Sequence, residues 1–123
     1  MTASTFPNAY YSTLATKLTG TSATSILALS SVSAGRRTTL NPVQVKIANE
    51  DAGNTCIYTL EFFDGSTSFR IQKATLAADA NTSIDLTGMT LIEGEELRLT
   101  AQNANDLVAV VNYMQTTGVE DGK

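Results

Sequence analysis

The sequence has no histidine and no tryptophan, and Cys56 is its one cysteine. Without histidine it cannot build Ser-His-Asp or Cys-His nucleophile systems or histidine metal sites. A single cysteine forms neither a CxxC redox pair nor an internal disulfide, and we expect Cys56 to be an inert core thiol. We therefore predict that the protein is not an enzyme, and we assign no catalytic residue, cofactor-binding residue or metal ligand.

Positive charge is also scarce, since 8 basic residues stand against 12 acidic ones and give a formal net charge of -4. A phosphate backbone attracts the opposite sign of charge, so we expect no nucleic-acid partner. The apolar runs near 26–29 and 107–111 are far shorter than the ~20 residues that span a bilayer, so we expect no membrane partner. The start of the chain lacks the basic and apolar regions of a signal peptide, and we expect no signal-directed export.

What the sequence does contain is enough apolar material, 42% of 123 residues, for the core of one domain. Apolar and polar residues alternate in 43–47, 83–86 and 96–100. Strict alternation gives a strand one dry face and one wet face, which antiparallel sheets allow. These segments therefore predict a sheet packed on one side only.

Turn residues separate the candidate strands at spacings of about 8 to 12 residues, which is typical of a sandwich or barrel. Asp64-Gly65 between two apolar segments is a strong hairpin signal. We predict an all-β fold, an antiparallel β-sandwich (jelly-roll-like or Ig-like) of about seven to eight strands with an extended N-terminal arm. The predicted strands are 25–30, 43–49, 55–64, 68–74, 82–86, 95–102 and 107–115.

The chain divides into three predicted parts: an arm at 1–22, a sandwich domain at 23–116 and a solvated tail at 117–123. The arm is rich in Thr, Ser and Ala. Tyr11, Leu14 and Leu18 also fit one face of a short helical turn, which is the alternative for this segment. If the arm is separate from the core, deleting about the first 20 residues should leave the domain folded.

Two predicted strands are apolar on both faces, which indicates that something covers their outer side. In 107–114, the outer face would carry Val108, Val110 and Met114, and in 56–63 it would carry Ile57 and Phe63. Soluble monomers seldom leave such patches open, so the cover is either the protein's own arm or loop, or another subunit. The predicted partner-contact residues are Tyr10, Tyr11, Leu14, Arg36, Arg37, Val108, Val110 and Met114.

Three acidic segments could suggest ion binding or acid–base chemistry, but each has a simpler interpretation. Segment 79–85 has oxygen side chains at alternate positions like a calcium loop, yet Ile84 stands where that loop needs glycine. Segment 49–54 is typical of a hairpin turn, and Glu93, Glu95 and Glu96 around Gly94 are typical of a solvated one. The basic pair at 36–37 either contacts an acidic partner or keeps a loop soluble.

Several segments together resemble the small virion β-sandwich proteins of tailed bacteriophages, which include capsid decoration (cement) and head-tail accessory proteins. A Ser-Ala-Gly loop at 33–35 leads into the strand 43–49 and then into the aromatic-bearing strand 58–62. The turn at 91–99 has the pattern leucine, acidic, glycine, acidic, leucine, and 107–114 resembles the closing strand of those proteins. The likeness covers about 25–115. The sequence departs from the family pattern in having serine rather than proline at position 33, and its N-terminal arm has no counterpart in that pattern.

The resemblance implies a non-enzymatic structural protein of a phage particle. The first expectation is a capsid decoration protein that bridges shell subunits, is present in the virion after synthesis in the host cytoplasm, and has the major capsid protein or another virion protein as its partner. A homo-oligomer is expected. The alternatives are a head-tail connector or tail accessory protein, a carbohydrate-binding module at a fibre or tail tip, and a hydrolase built on Glu93 and Glu95.

Overall fold

The computed structural model describes residues 8–29 and 36–119, and within these ranges the chain forms eight β-strands and no helix. No segment of the described part is therefore a helix long and apolar enough to cross a membrane. The strands are β1 (Asn8–Lys17), β2 (Thr24–Ala28), β3 (Arg36–Asn49), β4 (Cys56–Phe63), β5 (Ser68–Leu76), β6 (Asn81–Asp85), β7 (Glu96–Ala101) and β8 (Leu107–Val119).

The strands form two four-stranded antiparallel sheets, with the order β1-β8-β3-β6 in sheet A and β2-β7-β4-β5 in sheet B. Pairing runs from the ends of the chain inward, β1 with β8, β2 with β7, β3 with β6 and β4 with β5. The chain is thus one long antiparallel ribbon that is rolled up so that β3 meets β8 and β4 meets β7. Eight strands in two sheets with this order are a jelly roll, which confirms the predicted all-β sandwich.

The core lies between the two sheets and consists of the apolar residues that alternate along the central strands. Val45 and Ile47 of β3 and Leu97 and Leu99 of β7 are fully buried. Their polar neighbours in sequence point to the outer faces, as the alternation predicted. Cys56 is a free thiol in this core.

Seven of the eight strands lie where the sequence predicts them, but β3 and β8 are longer than expected. β3 begins at Arg36, and Pro42 is accommodated inside it at a register shift between Pro42 and Gln44. β8 continues to Val119, where it pairs with the first residues of β3. The predicted tail therefore starts inside a strand.

Residues 8–17 of the predicted arm form the edge strand β1 of sheet A. All ten residues pair with β8, from Asn8 opposite Thr117 to Lys17 opposite Val108. Leu18, directly after the strand, is 0% exposed and belongs to the core. The segment is therefore neither a separate arm nor a helical turn in the described part, because its threonines favour a strand and its last apolar residue is needed inside.

Candidate functional site: the outer strip of sheet A

The outer face of sheet A carries an apolar strip along the central strand β8. Val110 lies between Ala15 of β1 and Lys46 of β3, and Val108 lies between Lys17 and Ala48. Directly opposite residues of paired strands share a face, so these side chains are neighbours. We call the apolar members of this face the outer strip, which consists of Tyr11, Ala15, Ala48, Val108, Val110 and Met114.

The outer strip is partly open to solvent. Val108, Val110 and Met114 are half-buried, while Tyr11, opposite Met114, is 76% exposed. Residues 107, 109 and 111 of the same strand are fully buried on the other face. β8, which the sequence predicted to be apolar on both faces, therefore has one face in the core and the other on the outer side of the sheet.

Polar groups lie beside the outer strip and also divide it. Lys17 Nζ lies 3.4 Å from Glu50 Oε1, and both side chains are half-exposed. Thr13 Oγ1 donates to Asn112 Oδ1 across β1 and β8 at 3.0 Å, and this pair separates Tyr11 and Met114 from Ala15 and Val110. Protein interfaces commonly combine apolar contacts with polar groups.

Two of the predicted contact residues do not belong to this strip. Tyr10 and Leu14 face the inner side of sheet A, since Leu14 is opposite the buried Val111. They stay 50% and 41% exposed because β1 is an edge strand. Arg36 and Arg37 begin β3, and their side chains lie outside the described part of the chain.

The outer face of sheet B differs, because a charged side chain of the same sheet covers Phe63. The Arg98 guanidinium lies 3.6 Å from the centroid of the Phe63 ring, a cation–π contact. Arg98 Nε also donates to Glu96 Oε1 at 2.9 Å. Phe63, which the sequence analysis expected to need a cover, thus obtains part of it from its own sheet.

The acidic segments form turns. The carboxylates of Asp51, Asp64 and Asp85 each accept one or two backbone N–H groups from residues two or three positions later, at 2.8–3.1 Å. Glu95 Oε1 accepts the N–H of Ile92, three residues earlier in the chain, at 2.9 Å. Residues 81, 83 and 85 alternate outward along β6, which explains their spacing. Across 8–29 and 36–119 no three potential metal ligands converge.

These hydrogen bonds predict acid sensitivity. The backbone N–H of Gly53 lowers the pKa of Asp51 below 3.8, and the backbone N–H of Thr67 does the same for Asp64. The side chain and backbone of Thr87 lower the pKa of Asp85. A carboxyl whose pKa falls on folding stabilises the protein fully above its unfolded pKa, and this stabilisation is lost as the pH falls through the folded pKa. We expect the free energy of unfolding, measured by urea titration, to be flat above about pH 5 and to fall below pH 3.8.

The matched variant combines Asp51→Asn, Asp64→Asn and Asp85→Asn. Asparagine keeps a side-chain oxygen that can accept the same N–H groups but does not titrate. The triple variant should therefore lose less stability than the wild type between pH 6 and pH 3. An equal loss in both proteins would show that other groups cause the acid sensitivity.

No protein-family model matches the sequence, and no curated protein matches it significantly. Among solved structures, the chain resembles one from the acid-stable capsid of Helicobacter pylori bacteriophage KHP30, with 18% identity, a TM-score of 0.52 and coverage of 90% of this chain and 89% of that one. The cyanophage Pam1 capsid is similar with 17% identity, a TM-score of 0.47 and coverage of 94% and 89%. The coat protein of Tobacco streak virus follows, with 11% identity, a TM-score of 0.49 and coverage of 91% and 88%.

The similarity to the KHP30 chain establishes the fold, a β-sandwich of a kind found in a phage capsid. Because nine-tenths of each chain is matched, the two chains are of similar length.

Proposed function

We propose that the protein is a non-enzymatic structural component of a bacteriophage particle, and that it is a capsid decoration protein which binds across shell subunits through the outer strip. Two features support this proposal. The fold is shared along nearly the whole chain with a chain of similar length in a phage capsid structure. The outer strip is a partly exposed apolar surface along β8, with polar groups beside it and within it.

A decoration protein stabilises a shell because it binds the assembled form and not the separate subunits, which shifts the assembly equilibrium by mass action. The outer strip suits such binding, since burial of each large apolar side chain contributes about 1.5–3 kcal/mol before the costs of association. Lys17 and Lys46, opposite Val108 and Val110, can meet acidic groups of the shell. The partner in this proposal is the major capsid protein.

The substitution Val110→Asp tests the role of the outer strip. The free protein should stay folded, because Val110 is half-buried on the outer face and Lys46 lies directly opposite. Binding to assembled shells should weaken by about tenfold or more, since a carboxylate would be buried at the centre of the interface. Cosedimentation with shells measures binding, and urea unfolding measures the fold.

The control is Ile57→Asp, which places the same carboxylate on a half-buried position of an inner strand on the outer face of sheet B. This variant should bind shells like the wild type. If both variants bind normally, the outer strip is not the contact surface. Binding to isolated connectors or tails in place of shells would indicate a head-tail or tail accessory role.

A further inference from the structure

The strands of residues 8–29 and 36–119 include four edge strands, and three of them have features that discourage pairing with another chain. β2 and β6 have only five residues each, and β2 also has a register shift. β5 is bulged and carries Arg70 and Lys73. Short length, bulges and basic side chains are the means by which proteins protect sheet edges.

β1 has almost none of these features. It is ten residues long, pairs with β8 without a register shift, and contains neither proline nor glycine. Its one charged residue is Lys17, at the end of the strand. Sheet A ends at β1 in the described part of the chain, so the outward backbone N–H and C=O groups of β1 have no neighbouring strand there.

We propose that β1 pairs with β1 of a second copy of this chain, antiparallel about a twofold axis at Ser12, so that two copies of sheet A form one eight-stranded sheet. A twofold axis perpendicular to the sheet keeps both inner faces on the same side. Residues directly opposite each other must then both be inward or both be outward. Only registers centred on a residue of the strand satisfy this condition.

The register centred on Ser12 makes the exposed inward-facing side chains of β1 complementary to themselves, while Tyr11 on the outer face lies opposite Thr13. It places Tyr10 opposite Leu14 of the second copy, and Leu14 opposite Tyr10 of that copy. These inward-facing side chains are 50% and 41% exposed in the single chain. Aromatic and aliphatic residues opposite each other are stabilising cross-strand pairs. Lys17 lies outside the paired residues 8–16, so no like charges meet.

The neighbouring register, centred on Thr13, is less favourable. It would place Tyr10 opposite Thr16 and Leu14 opposite Ser12, and it would bring Lys17 opposite Ala9. Both inward-facing apolar side chains would then face polar ones, and the one apolar pair left would be Tyr11 opposite Ala15 on the outer face. The dimer proposed here is a property of the isolated protein and does not depend on binding to a shell.

A cysteine at the twofold axis tests the register. In the dimer the two copies of Ser12→Cys are directly opposite, with Cα atoms about 4.5–5.5 Å apart, which is within the span of a disulfide. Mild oxidation should convert this variant to a covalent dimer joined through position 12. In the control, Ala15→Cys, the two cysteines would be about 20 Å apart along the strands and should not be joined. The native Cys56 is fully buried and gives little background.

Sedimentation velocity of the full chain tests the association itself. The wild type should approach twice its mass of 13.0 kDa as concentration rises. Tyr10→Lys should raise the dissociation constant by about tenfold or more, because the substitution removes the contact with Leu14 on both sides of the twofold axis. Phe69→Lys, at a 51% exposed aromatic residue on the edge strand β5, is the control and should change nothing.

Several results would overturn this proposal. The wild type could remain at the monomer mass at every concentration, or the two cysteine variants could oxidise equally. A monomer whose β1 amides are all protected from hydrogen exchange would show that the chain covers its own edge. A dimer that Phe69→Lys weakens and Tyr10→Lys does not would place the interface on sheet B.

Discussion

Asn49→Ala is expected to lower the free energy of unfolding by about 2–4 kcal/mol, because it removes a buried amide whose two N–H hydrogens are shared among three carbonyls and whose oxygen accepts one N–H. The side chain is 2% exposed. Its Nδ2 donates to the carbonyls of Asn54, Leu76 and Ala77 at 2.9, 3.3 and 3.1 Å, and its Oδ1 accepts the Asp51 N–H at 3.0 Å. One amide thus ties the β3–β4 loop to the β5–β6 connection.

Urea titration at neutral pH measures this loss of stability. The slope of the free energy of unfolding against urea concentration should be the same for the variant and the wild type. Asn54→Ala is the matched control, because Asn54 is exposed and its side chain donates only to Asp51 Oδ2, at 3.3 Å. It should cost less than about 0.5 kcal/mol. Asn49→Asp should destabilise at least as much as Asn49→Ala, since it replaces the donor with a carboxylate that faces carbonyl oxygens. A small effect of both Asn49 variants would show that the two loops hold their positions without this side chain.

Deletion of residues 1–20 is expected to abolish cooperative folding, in contrast to the expectation from the sequence. The deletion removes all of β1, which leaves the long strand β8 paired only with β3 and makes it an edge strand. It also removes Leu18, and loss of a fully buried leucine side chain alone costs about 2–5 kcal/mol. Together these losses approach the ~5–15 kcal/mol by which a typical domain is stable.

Deletion of residues 1–7 is the matched control, because it keeps every residue of β1. The protein without residues 1–7 should show a single cooperative transition in thermal unfolding followed by circular dichroism. The protein without residues 1–20 should show none. If the protein without residues 1–20 unfolds at the wild-type midpoint, β1 is dispensable and the segment behaves as the arm that its composition suggested.

The central strands could be predicted because their alternation is simple. In β7, Leu97 and Leu99 are buried, while Glu96 and Arg98 point outward, and this pattern needs no knowledge of the partner strands. β1 could not be predicted in the same way. It is an edge strand whose inward positions include Ser12 and Thr16 as well as Leu14, so its two faces differ little in polarity.

Contacts between distant parts of the chain were the main features that the sequence could not reveal. Segment 49–54 was correctly predicted to be a turn, but the reach of Asn49 to the carbonyls of residues 76 and 77 depends on the topology. Likewise, the two apolar faces of β8 predicted that one apolar face lies on the outer side of the sheet. Their neighbours, Ala15 and Ala48, are set by the pairing of β8 with β1 and β3.

The proposed function assigns the chain to a phage particle, so its most direct test is a binding measurement with assembled shells and with unassembled capsid subunits of that phage. The purified protein is mixed with each, and bound protein is quantified after sedimentation or affinity capture. We predict saturable binding to shells at a fixed ratio to the capsid subunits, and no binding to free subunits. Absence of binding to shells, or equal binding to free subunits, would contradict the proposal.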